Sequence, residues 1–382
     1  MGLRDKLQRD APREADPRKW LFERFGILEN PFPSAGQPTG HPRLDYTEGD
    51  KEVVESIRQF ERDYATQVLV VEGTQGIGKT NLLNYYQQEL QDLYREDNTF
   101  YIIRYYPDPE PTFDAIVRRV FQELNQNHLI KIATKLKELN DAQAEQVREL
   151  ARSYEIRIVL QKLRQAEDAA TLAKVADTAM EWLVGLRLLN KHRDLLGVQF
   201  RLDTVESKTQ ALRDIVFISE KLELLKGIFL LLDELEKQDY SLTKTPVLRY
   251  LSAIRALIDA LPRRLFLMLA ITSEARRRYF EMLPAIASRL ENKIILNPIR
   301  QFEEAENLAS FYEANAKAKA QQDSVSKDWA AGREPVLTRA EISRIFETAI
   351  RGSADQGVKG VTHRAYLNRL RQAAEEKMAE AR

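Results

Sequence analysis

Residues 73–80, Gly-Thr-Gln-Gly-Ile-Gly-Lys-Thr, match the pattern GxxxxGK[ST], which is typical of a phosphate-binding loop. In such a loop the glycines let successive backbone N–H groups turn inward around a phosphate. The lysine, here Lys79, reaches the β- and γ-phosphates, and the hydroxyl of Thr80 can ligate Mg²⁺. The sequence therefore predicts a site for ATP and Mg²⁺ whose nucleotide-binding residues are Gly73, Thr74, Gln75, Gly76, Ile77, Gly78, Lys79, Thr80 and Asn81.

The neighbours of this loop supply the context that phosphate binding requires. Gln67–Glu72 is a short, continuous apolar run, as expected of a buried parallel strand. Helical spacing begins at Lys79, so the positive end of a helix dipole would face the phosphates. A chance match in a glycine-containing turn would lack this order of strand, loop and helix.

A second candidate for chemistry is the pair of carboxylates that follows the apolar run Gly227–Leu232. In enzymes with a phosphate loop, an aspartate at the end of such a strand holds Mg²⁺ through water, which assigns Asp233 to the metal. The adjacent Glu234 can polarise the attacking water as a general base. A small-molecule kinase would not need this glutamate, whereas an ATP hydrolase does.

Composition limits the remaining classes of protein. The chain of 382 residues has 58 basic and 58 acidic residues, so net charge favours no class of partner. It contains no cysteine, which excludes disulfides, thiol catalysis and thiolate zinc sites, and its four histidines have no metal-ligand spacing. The N-terminus is charged without an apolar signal region, and the longest apolar runs are too short to cross a bilayer. We expect a cytoplasmic protein without a membrane partner.

The order of the predicted elements indicates the fold class. Buried strands alternate with helices, which predicts an α/β fold with a parallel sheet. Between the second and third strands, roughly 100 residues have helical periodicity and no strand pattern. A single helix is predicted over 275–290, and the chain after Pro298 is predicted to be helical with two breaks. The predicted strands are 67–72, 99–106, 227–232, 264–271 and 293–296.

Four segments in this order resemble AAA+ ATPases: the phosphate loop, the run GIFLLLDE, the strand end LAITS, and ASRLENKIILNPI. More narrowly they resemble the origin-recognition-like clade, which includes transposition regulators and ATPases of BREX-type phage-defence systems. The segments MEWLVG (180–185) and DELEK (233–237) are similar to the BREX-type ATPases. The resemblance covers roughly 25–125 and 225–370. The chain departs from the common pattern because a helical insertion separates Thr80 from Asp233.

The resemblance implies roles for three further residues. Thr272, or else Ser273, would be the sensor of the γ-phosphate at the end of the fourth strand, where many family members carry asparagine. Arg289 would be an arginine finger that acts on the ATP of a neighbouring subunit, which implies a homo-oligomer. Arg364 would be the second sensor, an arginine that a lid helix brings to the nucleotide. The alternative for Arg289 is a surface arginine of a helix in a salt bridge, and the alternative for Arg364 is an arginine at a helix start that contacts no ligand.

The predicted fold class is therefore an α/β phosphate-loop NTPase of AAA+ type, with a parallel sheet core, a large helical insertion and a C-terminal helical lid. The predicted domains are a flexible arm (1–24), an ATPase core (25–125 and 226–298), a helical insertion (126–225) and a helical lid domain (299–382).

Five arginines around the fourth predicted strand could form a sequence-independent nucleic-acid surface. The alternative is a set of solvated or subunit-contacting charges. The arginines are Arg263, Arg264, Arg276, Arg277 and Arg278.

Three functional hypotheses follow. The first is an oligomeric AAA+ ATPase that acts on DNA or on a DNA-associated partner protein, in phage defence or a mobile-element system. The second is a slow ATP-dependent signalling switch that assembles when its helical insertion senses a ligand. The third, a non-catalytic scaffold, is disfavoured because Asp233 and Glu234 are both present.

Overall fold

Five short apolar segments form one parallel sheet at the centre of the protein, in the order β2-β3-β4-β1-β5. A computed structural model describes residues 17–34, 47–105, 113–236, 244–354 and 359–380. The strands lie within about one residue of the predicted positions, because continuous apolar runs of this length are typical of strands covered on both faces. The strands are β1 (Gln67–Glu72), β2 (Phe100–Tyr105), β3 (Gly227–Leu232), β4 (Leu265–Ile271) and β5 (Lys293–Ile295).

Helices precede, connect and follow these strands. They are α1 (Pro17–Phe25), α2 (Thr47–Asp63), α3 (Lys79–Leu93), α4 (Phe113–Glu138), α5 (Asp141–Arg148), α6 (Tyr154–Gln165), α7 (Ala169–Leu183), α8 (Asn190–Leu196), α9 (Val205–Lys221), α10 (Lys244–Ala260), α11 (Ser273–Met282), α12 (Pro284–Ala287), α13 (Phe302–Gln322), α14 (Arg339–Ala354) and α15 (His363–Glu380).

Each face of the sheet packs against its own set of helices. Successive side chains of a strand point to opposite faces, so Leu69 and Val71 join an apolar cluster with α2 and α3. Val70 joins a larger cluster with α10 and the helices between β2 and β3. The sheet is therefore buried on both sides, and the predicted α/β fold with a parallel sheet core is confirmed.

The helical insertion begins inside α4 and ends with α9. Asn125 interrupts α4 with φ 54° and ψ 176°, and its side-chain oxygen accepts a hydrogen bond from the backbone of Asn127 at 2.8 Å. With ψ near 180° this conformation lies outside the left-handed helical region, and residues other than glycine adopt it only at a cost in free energy. The break turns the second part of α4 into the insertion, whose buried side chains belong to the same apolar cluster as one face of the sheet.

The C-terminal helices α13, α14 and α15 share a separate apolar cluster with the N-terminal segment. Phe25, Ile27 and Phe32 are almost fully buried there. The segment 25–32 thus packs with the predicted lid, whereas the sequence predicts it as the start of the ATPase core. The predicted domain boundaries stay a prediction, and residues 1–16 of the predicted arm lie outside the described residues.

The single helix predicted over 275–290 is wrong. The chain forms α11 and then the short α12, with Leu283 in a non-helical conformation between them. Pro284 explains the break, because proline disfavours a helical conformation in the residue before it and is tolerated at the start of the next helix. Within the described part of the chain, no helix combines the length and apolar composition needed to cross a membrane.

Candidate active site

The phosphate loop connects β1 to α3, as the sequence predicts. Gly76 and Gly78 have φ of 76° and 101°, a region that glycine enters without steric cost. Gly78 lies directly before the first turn of α3, so the backbone turns sharply into the helix. Ile77 is fully buried beneath the loop, whereas Thr74 and Gln75 are exposed. Thr80 and Asn81 lie in the first turn of α3.

Lys79 is buried and contacts its own loop. Its Nζ donates hydrogen bonds to the carbonyl oxygens of Gly73 at 2.9 Å and Thr74 at 3.3 Å. It also forms an ion pair with Oε1 of Glu236 at 3.6 Å. Burial lowers the pKa of Lys79 below the usual value, against the opposing effect of Glu236 and Asp233. Burial likewise raises the pKa of the Glu236 carboxyl.

Asp233 and Glu234 directly follow β3, and their environments differ. Asp233 is buried, and its Oδ2 accepts a hydrogen bond from Nη2 of Arg104 at 2.6 Å. Its Oδ1 accepts one from the backbone N–H of Glu234 at 2.9 Å. Glu234 is exposed and has φ 44°. A left-handed conformation at a non-glycine residue costs free energy, and such residues cluster at functional sites.

Strand order brings these residues together with Thr272. β4 lies between β1 and β3, so the carboxyl end of β4 separates the phosphate loop from Asp233. Thr272 follows β4 and caps α11, accepting a hydrogen bond from the backbone of Ala275 at 3.3 Å. Ligands of open α/β sheets bind at this edge. The alternative sensor, Ser273, instead directs its hydroxyl to Glu72 and helps to lower the pKa of that carboxyl.

Arg364 lies against the phosphate loop. Its backbone N–H donates to the carbonyl of Gly76 at 3.0 Å, and its side chain is exposed. A Cβ built on Gly76 would lie 3.2 Å from Cβ of Arg364. The start of α15 is held there by paired backbone hydrogen bonds between Ile299 and Val361, both 2.9 Å. The structure therefore brings the predicted second sensor beside the loop.

Arg289 lies at the opposite edge of the sheet. It lines a groove of about 380 Å³ with Thr66 and Asn292, which precede β1 and β5. The six residues of β1 span about 20 Å, so this groove lies about that far from the phosphate loop of the same chain. Nε and Nη2 of Arg289 contact Oδ1 of Asp259 at 3.1 and 3.0 Å. Arg289 does not join the other predicted site residues within one chain.

The five arginines around β4 do not form one patch. Arg263 and Arg264 precede β4, whereas Arg276, Arg277 and Arg278 follow it, at the other edge of the sheet. Arg264 pairs with Glu220 at 2.6 Å, and Nη1 of Arg276 lies 3.7 Å from Glu72. The expectation of a single basic surface around this strand is therefore wrong.

Two charged residues of the site were missed from the sequence. Arg104 is the one charge in the strand β2, whose other residues are apolar or aromatic, and this isolated charge was a usable signal. Glu236 follows the predicted carboxylate pair by two residues, and only its burial and its contact with Lys79, both decided by the tertiary structure, distinguish it from a solvated acid.

The donor set suits a magnesium ion held together with a nucleotide. Among the described residues, no three His, Cys, Asp or Glu side chains converge as metal ligands. Mg²⁺ is usually bound through one or two protein oxygens, water and substrate phosphates, which Thr80, Asp233 and the loop fit. The loop's left-handed glycines and buried lysine fit the phosphates.

No protein-family model and no curated protein matches the chain. Among solved structures, the ORC2 protein of Aeropyrum pernix in ADPNP–ADP complexes is 13% identical, with a TM-score of 0.40 over 88% of this chain and 69% of that chain. Its ADP form is 11% identical, with a TM-score of 0.38 over 88% and 70%. The Walker-type ATPase paby2304 of Pyrococcus abyssi is 12% identical, with a TM-score of 0.40 over 91% and 75%.

Proposed function

We propose that this protein is an AAA+ type ATPase that binds ATP with Mg²⁺ and hydrolyses it. The observation that carries the proposal is the convergence at one sheet edge of Lys79, Asp233 and Glu234. Lys79 belongs to the loop after β1 and the two carboxylates follow β3. Each of these side chain types matches a step that phosphoryl transfer to water requires.

Each residue has a separate role in this proposal. The backbone N–H groups of residues 73–80 and Lys79 bind the phosphates. Thr80 and Asp233 would hold Mg²⁺, which would supply positive charge to the phosphoryl oxygens. Glu234 orients the attacking water and accepts its proton, for which its exposed carboxylate is suited. Arg104 donates to Oδ2 of Asp233 and so orients the carboxylate that would serve the metal ion.

We propose three further roles that need other parts of the molecule. Arg364 contacts the nucleotide from α15, which is supported by its backbone hydrogen bond to Gly76. Thr272 contacts the γ-phosphate and couples its presence to the position of α11. Arg289 acts on the ATP of a neighbouring copy, which is supported by its position far from the phosphate loop of its own chain. These roles make the working form a homo-oligomer.

The proposed biological role is action on DNA or on a DNA-associated partner protein, in phage defence or a mobile-element system. Its support is the sequence resemblance to the origin-recognition-like clade. The division of the five arginines between two sheet edges favours a protein partner over direct binding of DNA through them. The slow signalling switch remains the alternative, favoured by the ion pairs that engage both Lys79 and Asp233.

Steady-state ATP hydrolysis and equilibrium binding of a fluorescent ATP analogue test the proposal together. We expect Glu234→Gln to bind the analogue but to lose at least about 100-fold in turnover. Lys79→Ala should weaken binding by more than about tenfold. If Glu234→Gln turned over at the wild-type rate, hydrolysis by this site would be refuted. Assays with and without duplex DNA at two salt concentrations separate the DNA-acting form from the switch.

A further inference from the structure

Glu236 is a buried carboxylate that the roles above do not use. Its side chain is 11% exposed, and its Oε1 lies 3.6 Å from the ammonium of Lys79, whose side chain is 8% exposed. Among the described residues, its buried Oε2 accepts no hydrogen bond. A buried carboxylate is costly unless it is paired, so the contact with Lys79 is the main compensation for its charge.

The backbone around Glu236 is held by α11. The carbonyl of the preceding Leu235 accepts a hydrogen bond from the hydroxyl of Tyr279 at 3.1 Å. Tyr279 is 1% exposed and belongs to α11. The backbone N–H of Thr272, which caps α11, also favours the charged form of the Glu236 carboxyl. Glu236 therefore connects Lys79 to the helix that follows β4.

We propose that Glu236 is a positioning residue that competes with the nucleotide phosphates for Lys79 and so sets how readily the loop accepts ATP. This inference rests on the proposed function. The lysine that must reach the phosphates contacts two loop carbonyls and Glu236 in the structure. When a ligand binds only one conformation of a side chain, its apparent affinity is proportional to the fraction of molecules in that conformation.

The same contacts would let phosphate binding move residues outside the loop. When Lys79 turns to a phosphate, Glu236 loses its counter-charge and faces an added anion, because like charges at short distance repel. Glu236 must then move or take up a proton. Movement would be transmitted through Leu235 and Tyr279 to α11, and through the chain to Glu234.

The test is the variant Glu236→Gln, measured by equilibrium binding and stopped-flow association of a fluorescent ATP analogue. We expect a dissociation constant at least about threefold lower and a faster association rate, because the charge of Glu236 no longer competes with the phosphates for Lys79. A merely structural role would weaken binding. The melting temperature without nucleotide should fall by a few degrees, because the buried ammonium of Lys79 loses the carboxylate with which it forms an ion pair.

Glu72→Gln is the matched control. Glu72 is also a buried carboxylate and directly precedes the loop, but it pairs with Lys293 at 3.0 Å and with Arg276. If loss of any nearby negative charge were sufficient, Glu72→Gln would tighten binding as much as Glu236→Gln. We expect its effect to be smaller. Should Glu236→Gln not fold, Glu236→Met places an apolar chain of similar length in the same space and carries the same expectation.

The outcomes separate this inference from the proposed function. If the wild-type protein bound no ATP analogue, both would fail. If the wild type bound it and Glu236→Gln bound it with the same or a weaker affinity, the competition between Glu236 and phosphate would be refuted while the ATPase proposal stood. An equal effect in Glu72→Gln would also refute the competition.

Discussion

At the scale of single residues, the contact between Arg104 and Asp233 is the most deeply buried ion pair among the described residues that form the candidate site. Their side chains are 3% and 2% exposed, and the atoms in contact are 2.6 Å apart. Exposed pairs contribute little to stability because water screens them, but a buried charge that loses its partner is strongly destabilising. This contact therefore holds the carboxyl ends of β2 and β3 together as well as orienting Asp233.

Replacing Arg104 by Met should lower the free energy of unfolding by about 3 kcal/mol, because Asp233 becomes a buried charge without a partner. Asp233→Asn should lower the free energy of unfolding by a similar amount. The double variant should lower it by less than the sum of the two single effects. Urea unfolding measures all three.

Arg95→Met is the control for this cycle, since Arg95 pairs with Asp92 on the surface and is 75% exposed. It should change stability by less than about 0.5 kcal/mol. Additive effects of Arg104→Met and Asp233→Asn would show that the two side chains do not stabilise each other.

At the scale of elements, a buried histidine joins the sheet to the insertion. Nδ1 of His128 in α4 lies 2.7 Å from the hydroxyl of Tyr101 in β2, and Nε2 lies 2.7 Å from Oγ of Ser219 in α9. Oγ of Ser219 donates to the carbonyl of Ile215, so it accepts from Nε2. Nδ1 then accepts from Tyr101, which requires a neutral imidazole.

The protein should become less stable as the pH falls, because His128 then takes up a proton. Burial, aided by Lys131, lowers the pKa of His128 from 6.5 to about 4. Because the folded pKa lies below the unfolded one, the stabilisation is complete above pH 6.5 and is lost as pH falls towards 4. From pH 7 to 4.5 we expect the wild type to lose about 2 kcal/mol more than His128→Gln in chemical unfolding.

His192→Gln is the matched control, because it removes a histidine outside this buried network. If the stability curves of the wild type and His128→Gln stayed parallel from pH 7 to 4.5, His128 would not be the group that titrates.

The junction of α15 with the phosphate loop leads to a third prediction. The side chain of Arg364 is exposed, so Arg364→Ala should leave thermal stability almost unchanged. If its guanidinium contacts the nucleotide, affinity for ATP should fall about tenfold. Isothermal titration calorimetry measures this change. Arg369→Ala removes another exposed arginine of α15 and should bind ATP as the wild type does. If Arg364→Ala and Arg369→Ala bound ATP with equal affinity, Arg364 would not be part of the nucleotide-binding site.

At the scale of the whole molecule, the two edges of the sheet carry different groups of the proposed site residues. The phosphate loop and the carboxylates lie at the carboxyl edge, and Arg289 lies in the groove at the amino edge. An arrangement in which the carboxyl edge of one copy meets the amino edge of the next would bring Arg289 to a neighbour's ATP. Contacts of this head-to-tail kind generate rings or filaments.

Mixing two inactive variants tests this arrangement. Arg289→Ala and Lys79→Ala should each lose hydrolysis, the first by about 1000-fold, because a trans-acting arginine contributes that much in related chemistry. A mixture should regain activity, because an intact Arg289 can serve an intact loop on another copy. Activity should also rise with protein concentration. Full activity of Arg289→Ala at every concentration would contradict the role of Arg289 in trans.

The sequence by itself determined the features that depend on neighbouring residues. The phosphate loop, the carboxylates after β3 and the strand positions all follow from short patterns, because strand burial and loop geometry are local requirements. Pro284 also carried a readable signal, and the prediction of one helix across it ignored that signal.

Only the tertiary structure decided which distant residues meet. The order β2-β3-β4-β1-β5 places Thr272 between the phosphate loop and Asp233. The pairs Arg104–Asp233 and Lys79–Glu236 join positions 129 and 157 residues apart in the chain. Such contacts depend on strand order and packing rather than on local periodicity. For the same reason the segment 25–32 packs with α13 to α15, and the arginines around β4 separate to opposite edges of the sheet.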